Sequence, residues 1–148
     1  MREVKQVIVV RSDTEPPMRK GKFGGQCGHA VIAFLQRKAR ETANCHQKKR
    51  VDPDRDQAST TDVWDLLGLS VAEKQWMNDG LSTKVVLKAE TLAELLDVAG
   101  KAAEAGLEVN VITDAAKTEF AEPTVTCVAI GPDYVDLIDP FTRHLKLA

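Results

Sequence analysis

Short apolar runs and longer amphipathic segments alternate along the chain. Residues 4–10 (VKQVIVV) end in a β-branched apolar run that is too short for a helix, which is typical of a strand buried on both faces. Similar runs occur at residues 83–89, 109–113 and 124–132. The pattern therefore predicts four strands.

Segments with helical spacing separate these runs. The first helix should begin at Gly24 or Gly25, and capping boxes at residues 70–73 (SVAE) and 91–94 (TLAE) should open two more. A last short helix is predicted at residues 134–139. The buried face of the first helix is marked by apolar residues at i, i+3, i+4, i+7 and i+8: Cys27, Ala30, Val31, Phe34 and Leu35.

The order of these elements predicts an α/β fold with a mixed sheet. Strand, helix and strand across residues 83–113 indicate two parallel strands joined by a right-handed crossover. The ten residues 114–123 are too few for a helical crossover, so the fourth strand should return antiparallel. Residues 36–61 are polar and indicate an extended helix end followed by a surface loop. We therefore expect a single domain over residues 1–148, with a polar insertion at about 40–62.

Charge is distributed unevenly along the chain. Residues 1–50 hold 12 Lys or Arg against 4 Asp or Glu, whereas residues 51–148 hold 8 against 18, for a net charge of −2. A basic face built from the first part would suit a polyanionic partner such as a nucleic acid, unless folding intermixes the two parts.

Composition also bears on the cellular compartment. Three cysteines form an odd count, far below that of a disulfide scaffold, which fits reduced thiols. No apolar run approaches the roughly 20 residues of a membrane helix, and the first residues lack the pattern of a secretory signal. We therefore expect a cytoplasmic protein without a membrane anchor, although the sequence does not address an additional mitochondrial pool.

A basic segment, MRKGK at residues 18–22, directly precedes the predicted first helix. Unpaired amides at a helix start attract anions, and Arg19, Lys20 and Lys22 would add charge, so this segment is either an anion-binding loop or a solvated basic turn. It lacks the spacing G-x-x-x-x-G-K-[ST], which argues against a nucleoside triphosphatase.

Cys27 and His29 raise the possibility of a thiol hydrolase or a metal site. Residues at i and i+2 point to different sides of a helix, and Cys27 lies on the apolar stripe, so a buried inert thiol is the simpler interpretation. The pairs Cys27/His29 and Cys45/His46 lack the spacing of zinc sites, and we expect no metal.

Asp114 follows the third predicted strand, where ligands of open α/β sheets collect. Lys117 and Thr118 are close enough in sequence to share a site with it, but an aspartate that caps a turn explains the same position. Thr126 lies on the fourth predicted strand, and a lone threonine in a strand is usually structural.

Together these segments resemble a known family. VIVVRSD, M-x-KGK, Q-C-x-H-A, KVVLKA, DAxxT, T-x-x-AIGP and HLKL follow one another in the order found in the archaeal and eukaryotic type of peptidyl-tRNA hydrolase. The resemblance covers nearly the whole chain apart from about residues 40–62. It implies a four-stranded mixed sheet with helices on both faces, hydrolysis of the ester between a peptide and the 3′ ribose of tRNA, no cofactor, and often a homodimer.

The resemblance also implies roles for particular residues. The positions usually assigned to catalysis are matched by Lys22, Asp114 and Thr118. Gln26, His29 and Thr126 match family residues at or near the site, and Lys20 fits a contact with tRNA. Arg19, where the family usually has glycine, and Lys117, where it has arginine, join them as candidate substrate-binding residues because of their charge. Asp114 could orient or deprotonate a water held by Thr118, while Lys22 could stabilise charge on the carbonyl oxygen or grip the terminal phosphate.

Several positions depart from the family pattern. The glycine pair at 24–25 replaces an alanine pair and weakens the helix start, and DAAKT stands where the family usually reads DAGRT. If that glycine needs a positive φ, Ala116 strains the loop; Lys117 also lacks the fork of arginine. Glu119 adds negative charge, which Arg19 partly offsets. These departures motivate one alternative from another class, a catalytically weak relative that acts as an RNA-binding or protein-interaction module.

Overall fold

The structure, a computed structural model, describes residues 2–48, 62–116 and 119–148, which form five strands and five helices. In chain order the elements are β1 (Val4–Arg11), α1 (Lys20–Lys48), α2 (Val63–Leu66), α3 (Val71–Asn78), β2 (Lys84–Ala89), α4 (Leu92–Glu104), β3 (Val109–Asp114), β4 (Thr124–Tyr134), α5 (Val135–Thr142) and β5 (Lys146–Leu147). The predicted helix extension into the insertion is confirmed as far as Lys48, and residues 49–61 of the insertion lie outside the described residues.

The strands form one mixed sheet in the order β3-β4-β1-β2-β5. β1 and β2 are parallel, and β4 is antiparallel to both β1 and β3, so the predicted antiparallel return from β3 to β4 is confirmed. The strands of the predicted 83–113 unit, β2 and β3, do run in the same direction, but β1 and β4 lie between them.

The predicted number of four strands is wrong, because the described residues form five. β5 consists of two residues of the tail, and Leu147 and Lys146 pair with Leu87 and Lys88 of β2. A two-residue strand is too short to show a period of two in the sequence, so its pairing depends on the exposed edge that β2 offers.

Successive residues of β1 belong to different parts of the core. Val7 and Val9 pack in a cluster with Leu95 and other apolar residues of α4. Ile8 and Val10 pack in a second cluster with Ala30 of α1. This alternation follows from the period-two geometry of a strand and explains why VIVV is apolar without interruption.

Helix α1 begins at Lys20, four residues earlier than Gly24, so the last residues of the predicted basic loop lie in its first turn. The Phe23 N–H donates to the carbonyl of Arg19 at 2.8 Å. The glycine pair at 24–25 therefore lies inside the helix, where each glycine costs up to about 1 kcal/mol relative to alanine but does not stop it. The polar first turn carries no apolar stripe, which is why the pattern placed the start too late.

Both predicted capping segments begin helices. Ser70 accepts from the Glu73 N–H and the Glu73 carboxylate accepts in return from the Ser70 N–H, which is a complete capping box. Thr91 accepts from the Glu94 N–H in the same way. No helix within the described residues is long and apolar enough to cross a membrane.

Candidate active site

An ion pair joins the first turn of α1 to the carboxyl end of β3. Lys22 Nζ lies 2.7 Å from Asp114 Oδ2, and the two side chains are only 10% and 12% exposed. Lys22 also lies over the ring of Phe120, with 5.1 Å between Nζ and the ring centroid. The early start of α1 and the end of β3 thus bring together two residues that are far apart in sequence.

Gln26 and Thr126 form a second layer behind this pair. The Thr126 hydroxyl donates to Gln26 Oε1 at 2.6 Å, which leaves the Gln26 Nε2–H group directed at Asp114 Oδ2, 3.1 Å away. Gln26 and Thr126 are both buried. Because Gln26 lies one helical turn after Lys22, both reach the same carboxylate oxygen, and the order of donors and acceptors fixes the orientation of the amide.

Asp114 is held in its ionised form. The hydrogen bond from Lys22 is the largest cause that lowers the pKa of Asp114 below its usual value; a hydrogen bond from the Ala116 N–H and the charge of His29 lower it further, against the opposing effect of burial. The Ala116 N–H donates to Asp114 Oδ1 at 2.9 Å. An ionised carboxylate with a low pKa is a good acceptor for orienting a water molecule and a weak base.

Ala116 has a φ of +64°, so the loop takes the left-handed conformation that favours glycine. This is the conformation that the comparison of DAAKT with DAGRT raised as a source of strain. Its amide nevertheless reaches Asp114, so the loop keeps its hydrogen bond at a cost in backbone energy of about 1–2 kcal/mol.

Replacing Ala116 with glycine should therefore stabilise the protein. We expect Ala116→Gly to raise the free energy of unfolding by up to about 1 kcal/mol, because the relief of the left-handed strain exceeds the added entropy of the unfolded chain. Urea unfolding followed by circular dichroism measures this change. The matched control is Ala115→Gly, which has no positive φ to relieve and should destabilise; equal effects of the two variants would contradict the strain.

Two basic residues stand in solvent beside the pair. Lys20 is exposed, and the side chain of Arg19 is 88% exposed, with its Nε 3.7 Å from Glu119 Oε1. Arg19 thus faces the additional negative charge of the loop that the sequence comparison singled out. Lys117 and Thr118, which were predicted to share the site, lie outside the described residues.

An open cleft of about 900 Å³ extends from the ion pair along α1 and the edge strand β3. His29 lines this cleft, as the resemblance implied for a residue near the substrate. Sequence reasoning missed five polar residues that also line it, namely Gln36, Arg37, Arg40, Asn110 and Thr113. Helical spacing could have found the two arginines, because positions 22, 26, 29, 33, 37 and 40 share one face of α1.

Cys27 and Cys127 lack the features of a nucleophile. Burial raises the pKa of the Cys27 thiol, and burial raises that of Cys127 to about 12. Cys27 packs against the apolar cluster around Ile8, whereas His29 faces the cleft. Within the described ranges, His, Cys, Asp and Glu side chains form no group of three or more that could hold a metal ion.

The mixed sheet, the cleft and the Lys22–Asp114 pair at its end define a small α/β protein with a polar, water-accessible site. A family model described as Peptidyl-tRNA hydrolase PTH2 matches residues 4–148, and the chain belongs to this family. The resemblance found in the sequence is thereby confirmed, and with it an enzyme that hydrolyses peptidyl-tRNA. No comparison favours the alternative of a catalytically weak relative that acts as an RNA-binding or protein-interaction module.

Relatives named peptidyl-tRNA hydrolase match between about half of the chain and nearly all of it. The protein of Methanocaldococcus jannaschii is 36% identical over 145 residues, which cover 97% of this chain and 99% of the relative. That of Sulfolobus acidocaldarius is 31% identical, with 97% and 99% covered. A protein of Nanoarchaeum equitans is 48% identical over 73 residues, which cover 49% of this chain and 63% of the relative.

Proposed function

We propose that this chain cleaves the ester between a peptide and the 3′ ribose of tRNA, with the Lys22–Asp114 pair as its catalytic centre. The observation that carries the proposal is this buried ion pair at the mouth of an open cleft. Asp114 orients a water molecule toward the ester carbonyl, and Lys22 donates to the oxyanion that develops when the water adds. The carbon–oxygen bond to the ribose then breaks, and the proton that the water loses ends on the 3′ oxygen.

The position of Lys22 favours the oxyanion over the terminal phosphate as its target. Its side chain is largely buried between Asp114 and Phe120, which suits a preorganised donor better than a mobile phosphate ligand. Gln26 and Thr126 act by positioning the Asp114 carboxylate. The proposed role of Thr118, to hold the reacting water, rests on the family resemblance alone.

The exposed cations beside the pair suit the phosphates of the acceptor end of tRNA. Arg19 and Lys20 lie at the N-terminus of α1, where the helix dipole adds positive potential. We assign Lys117 and His29 to substrate contact in the same proposal. Each phosphate contact of this kind weakens with added salt.

The remaining parts of the proposal concern organisation. We infer one domain over residues 1–148 whose helices flank both faces of the sheet, since α4 and α1 pack on alternate residues of β1. The proposal also includes a homodimer, a reaction without a cofactor, and a cytoplasmic location without a membrane anchor. It leaves an additional mitochondrial pool open.

The test of this function is a direct assay on N-acetyl-aminoacyl-tRNA. We expect the purified protein to release N-acetyl amino acid and intact tRNA, with a rate that Cys27→Ala leaves within about twofold because the thiol has a raised pKa. Failure of the parent protein to cleave N-acetyl-aminoacyl-tRNA would contradict the proposed activity. Loss of activity in a folded Cys27→Ala variant would instead indicate a thiol mechanism, and salt-sensitive tRNA binding without cleavage would indicate an RNA-binding module.

A further inference from the structure

We propose that the cleft between α1 and β3 binds the peptide part of the substrate as an added strand, parallel to β3 and paired with its free edge. The inference rests on the proposed function, because it uses the Lys22–Asp114 pair to fix where the ester lies. It adds a binding site and a mode of recognition to that function.

The free edge of β3 carries main-chain groups that face away from β4. Among the described residues, β3 is the terminal strand of the sheet and pairs with β4 alone. The Gly131 N–H donates to the Glu108 carbonyl at 2.8 Å, and the register continues as Val109 opposite Ile130 and Val111 opposite Val128. Since hydrogen-bonded and non-hydrogen-bonded pairs alternate in an antiparallel ladder, the amide and carbonyl of Val109 and Val111 are directed outward.

Helix α1 leaves room beside this edge. Gly21, Gly25 and Ala33 line the cleft on the helix side, and a Cβ built on Gly25 would meet no atom within 4 Å. On the strand side Val111 lines the cleft and is 47% exposed. Small residues that face an open strand edge give space for a polypeptide backbone, as in other proteins that bind peptides by strand addition.

The site of the ester sets the direction and the length of the added strand. The carboxyl end of the peptide is the end joined to tRNA, and Asp114 lies at the carboxyl end of β3. A peptide that extends from Asp114 toward Asn110 therefore runs parallel to β3. At about 3.3 Å per residue this stretch of the edge accommodates about four residues.

Peptide suits this end of the cleft better than RNA. Arg37 already forms close ion pairs with Glu41 and with Glu108, the residue before β3, whereas Arg19 at the opposite end stays largely exposed to solvent beside Glu119, 3.7 Å away. Phosphates are therefore expected near the start of α1 and peptide along β3. Pairing through main-chain groups also accepts peptides of any sequence, since only side chains would differ.

The test compares N-acetyl-Ala-tRNA with N-acetyl-(Ala)4-tRNA. We expect kcat/KM to be about tenfold higher for the longer peptide, the effect of one or two net hydrogen bonds. Only every second amide of the added strand faces β3. N-methylation of those amides should abolish the gain in kcat/KM, whereas N-methylation of the intervening amides should leave it unchanged. Equal rates for both lengths, or loss of the gain at every methylated position, would overturn the added strand. Failure to cleave even N-acetyl-Ala-tRNA would instead reject the proposed function itself.

A pair of variants tests the protein side of the contact. Val111→Pro removes the outward amide without removing a ladder bond to β4, and Val111→Thr keeps that amide and the β-branched shape. The ratio of kcat/KM for the long and the short substrate should fall to about one in Val111→Pro and stay near tenfold in Val111→Thr. An unchanged ratio in a folded Val111→Pro protein would overturn the inference. So would a change from dimer to monomer in Val111→Pro alone, because a second copy would then occupy the edge.

Discussion

Asp114→Asn should lower kcat/KM on N-acetyl-aminoacyl-tRNA by about 10²- to 10⁴-fold, the usual contribution of a group that activates or orients the reacting water. The substitution keeps the shape of the side chain and an oxygen that can accept from the Ala116 N–H. It removes the negative charge that holds Lys22 Nζ at 2.7 Å and leaves the Gln26 Nε2–H group opposite a neutral amide. The substitution should therefore disturb both the orientation of the reacting water and the position of Lys22.

The matched control is Asp97→Asn, which removes a carboxylate from an exposed ion pair with Lys101 on α4. It should change kcat/KM by less than about twofold, because an exposed pair of this kind contributes at most about 1 kcal/mol to stability and lies on another helix. Single-turnover rates at saturating enzyme separate the chemical step from tRNA binding. If Asp114→Asn kept more than a tenth of the parent rate, Asp114 would not be a catalytic residue.

The pH dependence adds an independent check. The pKa of Asp114 is lowered from 3.8, chiefly by the hydrogen bond from Lys22, so the carboxylate stays charged as the pH falls until its folded-state pKa is reached. Its contribution to stability should be constant above about pH 4 and decline below that, whereas its contribution to activity should persist until the lower folded-state pKa is reached. In Lys22→Met the pKa of Asp114 should rise, so the acid limb of the residual activity should move to higher pH.

The sequence predicted the composition of this site better than its geometry. Asp114 was placed by a rule on strand ends, and Lys22 and Gln26 by their resemblance to family motifs. That Gln26 links Thr126 to Asp114 could not be predicted, because it depends on how α1 lies across β4. The left-handed conformation at Ala116 was raised by the resemblance, because the family usually has glycine there and glycine in a loop often marks a positive φ.

Features that depend on contacts between distant segments escaped prediction for a physical reason. The edge pairing of Leu147 with Leu87 and the polar first turn of α1 have no local periodicity. The same holds for a buried ion pair between Lys38 of α1 and Glu73 of α3, whose members look in the sequence like ordinary surface charges.

That ion pair leads to the largest expected effect on stability. Lys38 Nζ lies 2.6 Å from Glu73 Oε1, and the two side chains are 13% and 4% exposed. Glu73 Oε1 also accepts from the Ser70 N–H, while the buried Glu73 Oε2 has no hydrogen-bond partner among the described residues. Lys38→Met should therefore lower the free energy of unfolding by about 3–5 kcal/mol, because it leaves a carboxylate buried without its counter-charge.

Two further variants separate the buried charge from the loss of a lysine side chain. Lys101→Met removes a lysine from the exposed pair with Asp97 and should cost at most about 1 kcal/mol. Lys38→Met combined with Glu73→Gln should recover most of the loss, because glutamine is neutral and still completes the capping box with Ser70. Urea unfolding of the single and double variants measures the coupling between Lys38 and Glu73 directly.

The ion pair also bears on the site, because α1 carries Lys22 in its first turn and Lys38 more than four turns later. If α1 behaves as one rigid element, loosening its contact with α3 should not alter the Lys22–Asp114 distance. We therefore expect Lys38→Met to keep kcat/KM within about threefold of the parent well below its lowered unfolding temperature. A loss of stability below about 1 kcal/mol would show that the Glu73 carboxylate finds water or another partner, and would contradict the buried charge as the cause.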